Sequence, residues 1–471
     1  MRYAFVLGRV FTLSVAELLD VFEKPDPACG LVENPVRILD ASKEVLVIET
    51  EKPLLVLPLQ KKLGGVVKIL KIVDVLEKRK QDSINFALKN YFKPSLLKSE
   101  FFKDYKGKKQ FGVSVYVLDD ELVAHEHNNH FHDNNRQSSF VRPGRTTEDG
   151  HAINDKLRKA KPATQTVWGE PKRLGMMIKK TLTDSGLSVR VALPEFNSLS
   201  LASVVVTKNL LLEKGAEICI IGGKEKVYTA KTLVVQDFED YGRRDYQRPV
   251  RDEQQGMIPP KVAQIMLNLS GVKKGDSVLD PFCGIGTIVQ EGLLLGFKMF
   301  GSDINRVAIR GSEQNLEWFR NRYHVPAGKY IINISDARNV SKLIDKTPIN
   351  AIVTECTLGP IYGKFPDTNE IEKNFAGLKK LYAASFKDFS KFLTKGARIV
   401  MCVPAYRRGR DNYIMMDTLD FGNDSGYNLV DLIEKKPARQ MKFLNLTNRG
   451  TAIYDRKDQI VAREIVIFEK A

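Results

Sequence analysis

The chain has 471 residues, 43% of them hydrophobic and 28% charged. Such a mix excludes a disordered or fibrous chain and, at roughly 100–200 residues per domain, suggests two to four globular domains. Lys and Arg total 73 against 57 Asp and Glu, a formal charge of +16 that points to a polyanionic partner, most simply nucleic acid.

Tyr3–Leu7 reads as a short strand. Its opening apolar run is too short for a signal-peptide core, and no 18 apolar residues run together as a membrane span would require. The helix that follows is expected to start at Ser14, with Glu17 completing a capping box and Val15, Leu18, Leu19 and Phe22 on one buried face. Val36–Leu39 and Glu44–Thr50 read as strands, an α+β start. Lys71–Asn90 is a basic amphipathic stretch, and Phe111–Leu118 is a strand.

Charge is concentrated locally. Residues 61–110 hold 14 basic and 5 acidic residues and 151–180 hold 8 and 2, whereas 111–150 hold 3 and 7. Two basic blocks in one region favour a nucleic-acid footprint over ordinary solvated helix faces. Residues 119–170 have no sustained period and read as a long flexible loop or insertion. Its His125, His127, His130 and His132 lack the cysteine partners or helical spacing of familiar metal sites, so no metal is expected.

Arg173–Ser185 reads as a helix, and Val189–Leu193, Ser203–Val206 and Glu217–Gly222 as strands, with a further helix near Lys208–Lys214. The charged, apolar-poor residues 236–258 look like a connector. Beyond the helix of Val262, Ile265, Met266 and Leu269, strands and helices alternate as in a doubly wound α/β sheet, closing on two antiparallel strands. The five cysteines, Cys29, Cys219, Cys283, Cys356 and Cys402, show no paired spacing, which argues for a reducing cytoplasm.

The informative segment is Val278-Leu279-Asp280-Pro281-Phe282-Cys283-Gly284-Ile285-Gly286-Thr287. A strand ends in an acid, turns through Gly-x-Gly and opens a helix, so the backbone can approach a ligand closely. Asp303 ends the next strand, where a ribose-binding carboxylate belongs, and Asp336 follows the third. The third glycine of a dinucleotide fingerprint is Val289 here, and Asp280 stands where a pyrophosphate would need positive charge. A cationic ligand with an amino group and a ribose fits better, which describes S-adenosylmethionine. Asp280 would then face its amino-acid end, with Phe282, Gly284 and Gly286 in the turn, Asp303 on the ribose and Asp336 near the adenine.

Several stretches resemble the THUMP-domain tRNA guanosine N2-methyltransferase family: LDPFCGIGT, GMIPPKVAQIMLNL, IVAREIVIF, FGVSVY, SLASVVVTKNLL and the opening YAFVLGR…SVAELL. The resemblance covers nearly the whole chain apart from 119–170. It implies an N-terminal ferredoxin-like segment (1–75), a THUMP-like RNA-binding domain carrying the insertion (76–235), the connector (236–258) and a Rossmann-like class I methyltransferase domain (259–471). It further implies a cytoplasmic enzyme, without membrane contact, that methylates a guanine amine in structured RNA, most simply tRNA. A small partner subunit is left open. Lys106, Lys108, Lys109, Lys172 and Arg173 are the expected phosphate contacts.

Where the family has Asp-Pro-Pro-Tyr-Gly, this chain has Glu355-Cys356-Thr357-Leu358-Gly359. The resemblance implies that Glu355 accepts an amine hydrogen and that the Cys356 carbonyl replaces a proline carbonyl. Leu358 stands in place of the stacking aromatic, leaving Tyr362, Phe365 or Tyr406 to stack on the base. Cys356 as a covalent nucleophile is the sharper alternative, and a partly buried strand-end cysteine the plainer one. Two other classes stay open: an RNA-binding protein without turnover, and a methyltransferase for DNA or a protein amide.

Overall fold

The computed structural model describes every residue except 78–83, 103–106, 119–169, 197, 224–225, 252–256, 327, 345–347, 410–411 and 457–458, together with the side chains of 84–87. Lys106 and the histidine-rich stretch thus lie outside the described residues. The rest forms two compact units: Met1–Phe5, Ile38–Ile48 and Lys68–Val235, and then Val6–Arg37, Glu49–Val67 and Gln236–Ala471. These boundaries run differently from the sequence-based segments, since two early pieces group with the C-terminal residues.

Strands drawn mainly from the first unit build an eight-stranded sheet. They are β1 (Arg2–Leu7), β2 (Val36–Ala41), β3 (Val45–Thr50), β4 (Val66–Glu77), β5 (Lys109–Val117), β6 (Val189–Ala192), β7 (Gly215–Gly222) and β8 (Lys226–Val235). The order is β2-β3-β1-β4-β8-β7-β5-β6, with β5 parallel to β6 and β7, and β8 antiparallel to β4 and β7. Period-two alternation along β5 puts Phe111, Val113 and Val115 in one core with Leu174, Ile178 and Leu182 of the helix Pro171–Asp184. Ser114, between them in sequence, bonds Glu217, which also pairs with Lys68 at 2.5 Å and accepts from Thr232. A buried charge is tolerable only when its lone pairs are satisfied in this way.

The second unit carries a nine-stranded sheet. Its strands are β9 (Ser277–Asp280), β10 (Lys298–Asp303), β11 (Tyr330–Ile334), β12 (Ala351–Glu355), β13 (Arg398–Gly409), β14 (Asn412–Met415), β15 (Tyr427–Val430), β16 (Ala452–Tyr454) and β17 (Val461–Lys470). The path is β11-β10-β9-β12-β13-β17-β15, with β14 on β13 and β16 on β17. The first five are parallel and β17 is antiparallel to β13. Strand order reverses between β9 and β12, so the crevice outside their carboxyl ends is where a ligand belongs. The expected Rossmann-like α/β fold is present.

Four local expectations are corrected. The first helix starts at Phe11 and is not opened by a Ser14–Glu17 capping box. Glu17 is instead buried, accepting from the Gly64 and Gly65 amides at 2.8 and 2.7 Å and from Asn268 Nδ2 at 2.6 Å. Ser203–Lys208 is helical, not a strand, because Val206 packs with Leu201 and Leu211 in a small cluster that overrides the β-branched run. The helix expected near Lys208–Lys214 is absent beyond Lys208, where the chain turns through Leu210 at φ 50°. The stretch Lys71–Asn90 divides between the end of β4 and a helix, Ile84–Tyr91.

The connector is not structureless either, since Phe238–Tyr246 is a helix. Asp237 caps it by accepting from the Asp240 amide, Glu239 and Asp240 sit in its first turn, and Arg243 and Arg244 in its last. Its contacts are polar, Arg244 Nε to Glu291 Oε1 at 2.7 Å and the Tyr241 hydroxyl to Gln264 Oε1 at 2.5 Å, so no apolar period betrays it.

Candidate active site

A cavity of about 1000 Å³ opens at the carboxyl ends of β9, β10, β11 and β12. Asp280, Phe282, Gly284, Asp303, Asp336, Glu355, Cys356, Thr357 and Leu358 all line it, so nearly every cofactor and catalytic candidate converges on one space.

The turn after β9 makes the cavity's floor. Gly284 has φ 52° and no atom within 4 Å of where a Cβ would stand. Gly286 has φ 89°, and a Cβ there would approach Ser312 Oγ to 2.7 Å. It does not line the cavity; its role is to bring the start of helix Thr287–Leu294 close to its neighbour. The Gly284 amide donates to Asp303 Oδ2 at 3.0 Å and the Asn305 amide to Oδ1 at 2.8 Å, which fixes the Asp303 carboxylate at the end of β10.

Asp280 is buried. Its Oδ1 accepts from the Thr354 hydroxyl at 2.6 Å and the Phe282 amide at 3.2 Å. Loss of water around the carboxylate outweighs these bonds and pushes its pKa up to about 8, with the charges of Asp303 and Glu355 adding to the rise. A cation beside it would relieve that cost. Asp336 is paired with Arg338, whose Nε lies 2.9 Å from Oδ1, and this hydrogen bond holds its carboxyl below the ordinary value. The acid set therefore suits a ligand with one cationic group and adjoining hydroxyls, the donor pattern expected for S-adenosylmethionine.

Glu355 ends β12 at the cavity wall. Its Oε1 accepts from Arg463 Nε at 2.5 Å and its Oε2 from the Ile258 amide at 3.0 Å. Arg463 Nη1 in turn donates to Gln459 Oε1 at 2.7 Å. Arg463, Gln459 and Ile258 all line the cavity, and none was singled out from sequence. The available signal was an Arg463-Glu464 pair at the start of a closing strand whose next four residues are apolar, positions rarely charged without partners.

The loop after Glu355 is pinned from behind. The Tyr382 hydroxyl donates to the Thr357 carbonyl at 2.7 Å and Asn374 Nδ2 to the Leu358 carbonyl at 3.2 Å. Cys356 is 3% exposed, and burial raises its thiol well above the ordinary value. That shift disfavours the thiolate which the covalent-nucleophile alternative needs. Of the stacking candidates, Tyr406 is buried against Tyr362 and Phe375 and accepts from Asn374, which removes it from the surface of the site. Tyr362 lines the cavity, whereas Phe365 does not.

In the first unit, Lys108, Lys172 and Arg173 are exposed. Lys109 is not available to a phosphate, because its buried ammonium donates to the Phe102 carbonyl at 3.2 Å. Among the described residues no helix is long and apolar enough to cross a membrane.

Comparison with known proteins agrees with this architecture. Residues 248–418 match the model of the RMKL-like methyltransferase domain, and residues 63–314 match a DNA methylase model that includes the same strand–turn–helix. A tRNA (guanine(10)-N2)-dimethyltransferase of Methanothermobacter thermautotrophicus is 37% identical over 32% of this chain and 40% of its own length. The match thus spans about two fifths of that relative. A protein described as a probable tRNA (guanine(10)-N2)-dimethyltransferase, from Methanothermococcus thermolithotrophicus, is 33% identical over 26% of this chain and 74% of its own length. The structure of TrmN from Thermus thermophilus superposes over 100% of both chains with a TM-score of 0.50 at 13% identity, a likeness of fold. The fold is that of a class I methyltransferase, shared with the DNA methylase model, and the chain belongs to the tRNA guanine N2-methyltransferase family.

Proposed function

We propose that this protein transfers a methyl group from S-adenosylmethionine to the exocyclic N2 of a guanosine in tRNA, in the cytoplasm, with the first unit gripping the RNA as a THUMP-like module. The observation that carries this reading is the Glu355 carboxylate, held by Arg463 and Ile258 on the wall of the cavity that Asp280, Gly284 and Asp303 also line. The exposed Lys108, Lys172 and Arg173 support an RNA footprint that sets position and affinity rather than base identity.

Asp280 would hold the cofactor's amino-acid end, Asp303 its ribose hydroxyls, and the Gly284 turn would admit it closely. When bound, S-adenosylmethionine supplies an electrophilic methyl on a sulfonium. What the chain must do is orient a poor nucleophile, since the guanine amine's lone pair is delocalised into the ring. A carboxylate has about four acceptor positions, and two on Glu355 are taken. The remainder can accept an amine hydrogen and turn the nitrogen lone pair toward the methyl. The base must leave its stack to enter, and Tyr362, which lines the cavity, would stack on it. Catalysis of this kind rests on orientation and preorganised charge, and the amine's proton can leave after the methyl arrives.

The test is transfer of labelled methyl from S-adenosylmethionine to unmodified tRNA by the purified protein, followed by nucleoside mass spectrometry. Label in N2-methylguanosine or N2,N2-dimethylguanosine is the expected result. Absence of label, or label in another nucleoside, rejects the reading.

A further inference from the structure

Arg463 sits between two side chains that line the cavity. Its Nε donates to Glu355 Oε1 and its Nη1 to Gln459 Oε1, so the guanidinium plane is anchored at both ends. Only 2% of the residue is exposed, yet it lines the cavity beside Glu355. Strand geometry explains the placement. Glu464, next along β17, faces the other side and is consumed by Arg449 and Thr451, while Arg463 turns to the site opposite Pro404 of β13.

A carboxylate with a guanidinium at its side presents an acceptor followed by a donor. Guanine presents the reverse along one edge: N2–H and N1–H donate, and O6 accepts. Adenine offers no such sequence, because its amine is followed by an acceptor nitrogen. Arginine is well suited to O6, since its forked donors are rigid and permanently charged. We propose that Arg463 is the base-selecting residue of this site: it positions Glu355 for the amine and presents its guanidinium to guanine O6. The inference rests on the reading of the cavity as a guanine N2 site, and deepens it by naming how guanine is told from other aminopurines.

The experiment compares two ligated tRNAs with guanosine or 2,6-diaminopurine riboside at position 10, the position in the relatives' names. The analogue keeps the 2-amine but replaces O6 by an amine and makes N1 an acceptor. Wild type is expected to methylate guanosine at least about tenfold faster in kcat/KM, since a site built for a hydrogen bond rejects the analogue that cannot make it. Arg463→Lys and Arg463→Met are expected to slow both RNAs, because Glu355 loses its positioning partner, and to bring that ratio toward one, because only guanosine also loses the O6 contact. Melting temperature and S-adenosylhomocysteine binding should be retained. Gln459→Leu loosens the guanidinium without removing it and should narrow the ratio roughly threefold, which keeps the test decisive should the Arg463 variants fail to fold. Equal rates on both RNAs by wild type, or an unchanged ratio in the folded variants, overturn the inference and leave the N2 reading intact. Methylation of neither RNA overturns the N2 reading and the inference with it.

Discussion

The Thr354 hydroxyl donates to Asp280 Oδ1 at 2.6 Å, from β12 to the end of neighbouring β9. That single bond does not offset burial, and the Asp280 carboxyl is pushed up to about 8. Because the folded value lies above the ordinary one, the stability contributed by this group is complete below the ordinary carboxylate range. It is lost as pH rises through about 8. A cationic amino group arriving beside Asp280 favours its ionised form, so cofactor binding should release a proton at neutral pH and none well above 8. Calorimetry in two buffers of different ionisation enthalpy reads this directly; identical enthalpies at neutral pH count against Asp280 as the ammonium's partner.

Asp303 accepts from the Gly284 and Asn305 amides, and its loss would free the turn together with the carboxylate proposed to hold the ribose. Asp303→Ala should weaken S-adenosylmethionine binding by about 10–100-fold, the worth of one to two charge-assisted bonds. Unaltered affinity would show that the ribose lies elsewhere.

Glu355→Gln keeps the side chain's shape but leaves Arg463 facing a neutral amide. Turnover should fall by about 100-fold while S-adenosylhomocysteine affinity changes little, as for removal of one preorganised polar group. Cys356→Ser is the control. With the thiol buried and raised well above its ordinary value, serine should retain turnover within a few fold, and activity reduced to background in that variant would revive a covalent role.

Lys172→Glu with Arg173→Glu should weaken tRNA binding and reduce the salt slope by roughly one per lost phosphate contact. Lys109→Ala should instead lower the melting temperature with little change in that slope, since its ammonium is spent on the Phe102 carbonyl. Filter binding across a salt series separates the two.

Glu17→Ala strips the acceptor from two buried backbone amides, while Asn268 keeps its bond to the Lys62 carbonyl. At about 1–3 kcal/mol per orphaned group, the second unit should lose several kcal/mol, read as a lower urea midpoint. A neutral outcome would mean the helix Phe11–Phe22 contributes nothing to that unit.

The half of the site proposed to hold the cofactor was legible because its signals are local. Asp280, Gly284 and Asp303 belong to one strand–turn–helix–strand, where glycine conformation and the strand-end acid are written within a few dozen residues. The base half was only partly legible. Glu355 could be found at a strand end, but its partner lies 108 residues away, beside Glu464 in the closing strand, and nothing local tells which face either takes. The helix Phe238–Tyr246 escaped for a related reason, since its buried face is polar and leaves no hydrophobic period.

The sequence by itself determined the parallel α/β sheet, the acid–glycine turn and the excess positive charge, because each follows from the period or chemistry of neighbouring residues. Only the tertiary structure decided which charges are spent and which are offered. It withdrew Lys109 and Tyr406 into the interior, turned Glu17 from a helix cap into a buried acceptor, and set Arg463 against Glu355. A side chain's role depends on what its last polar atom meets, and that partner is chosen by packing across the chain rather than along it.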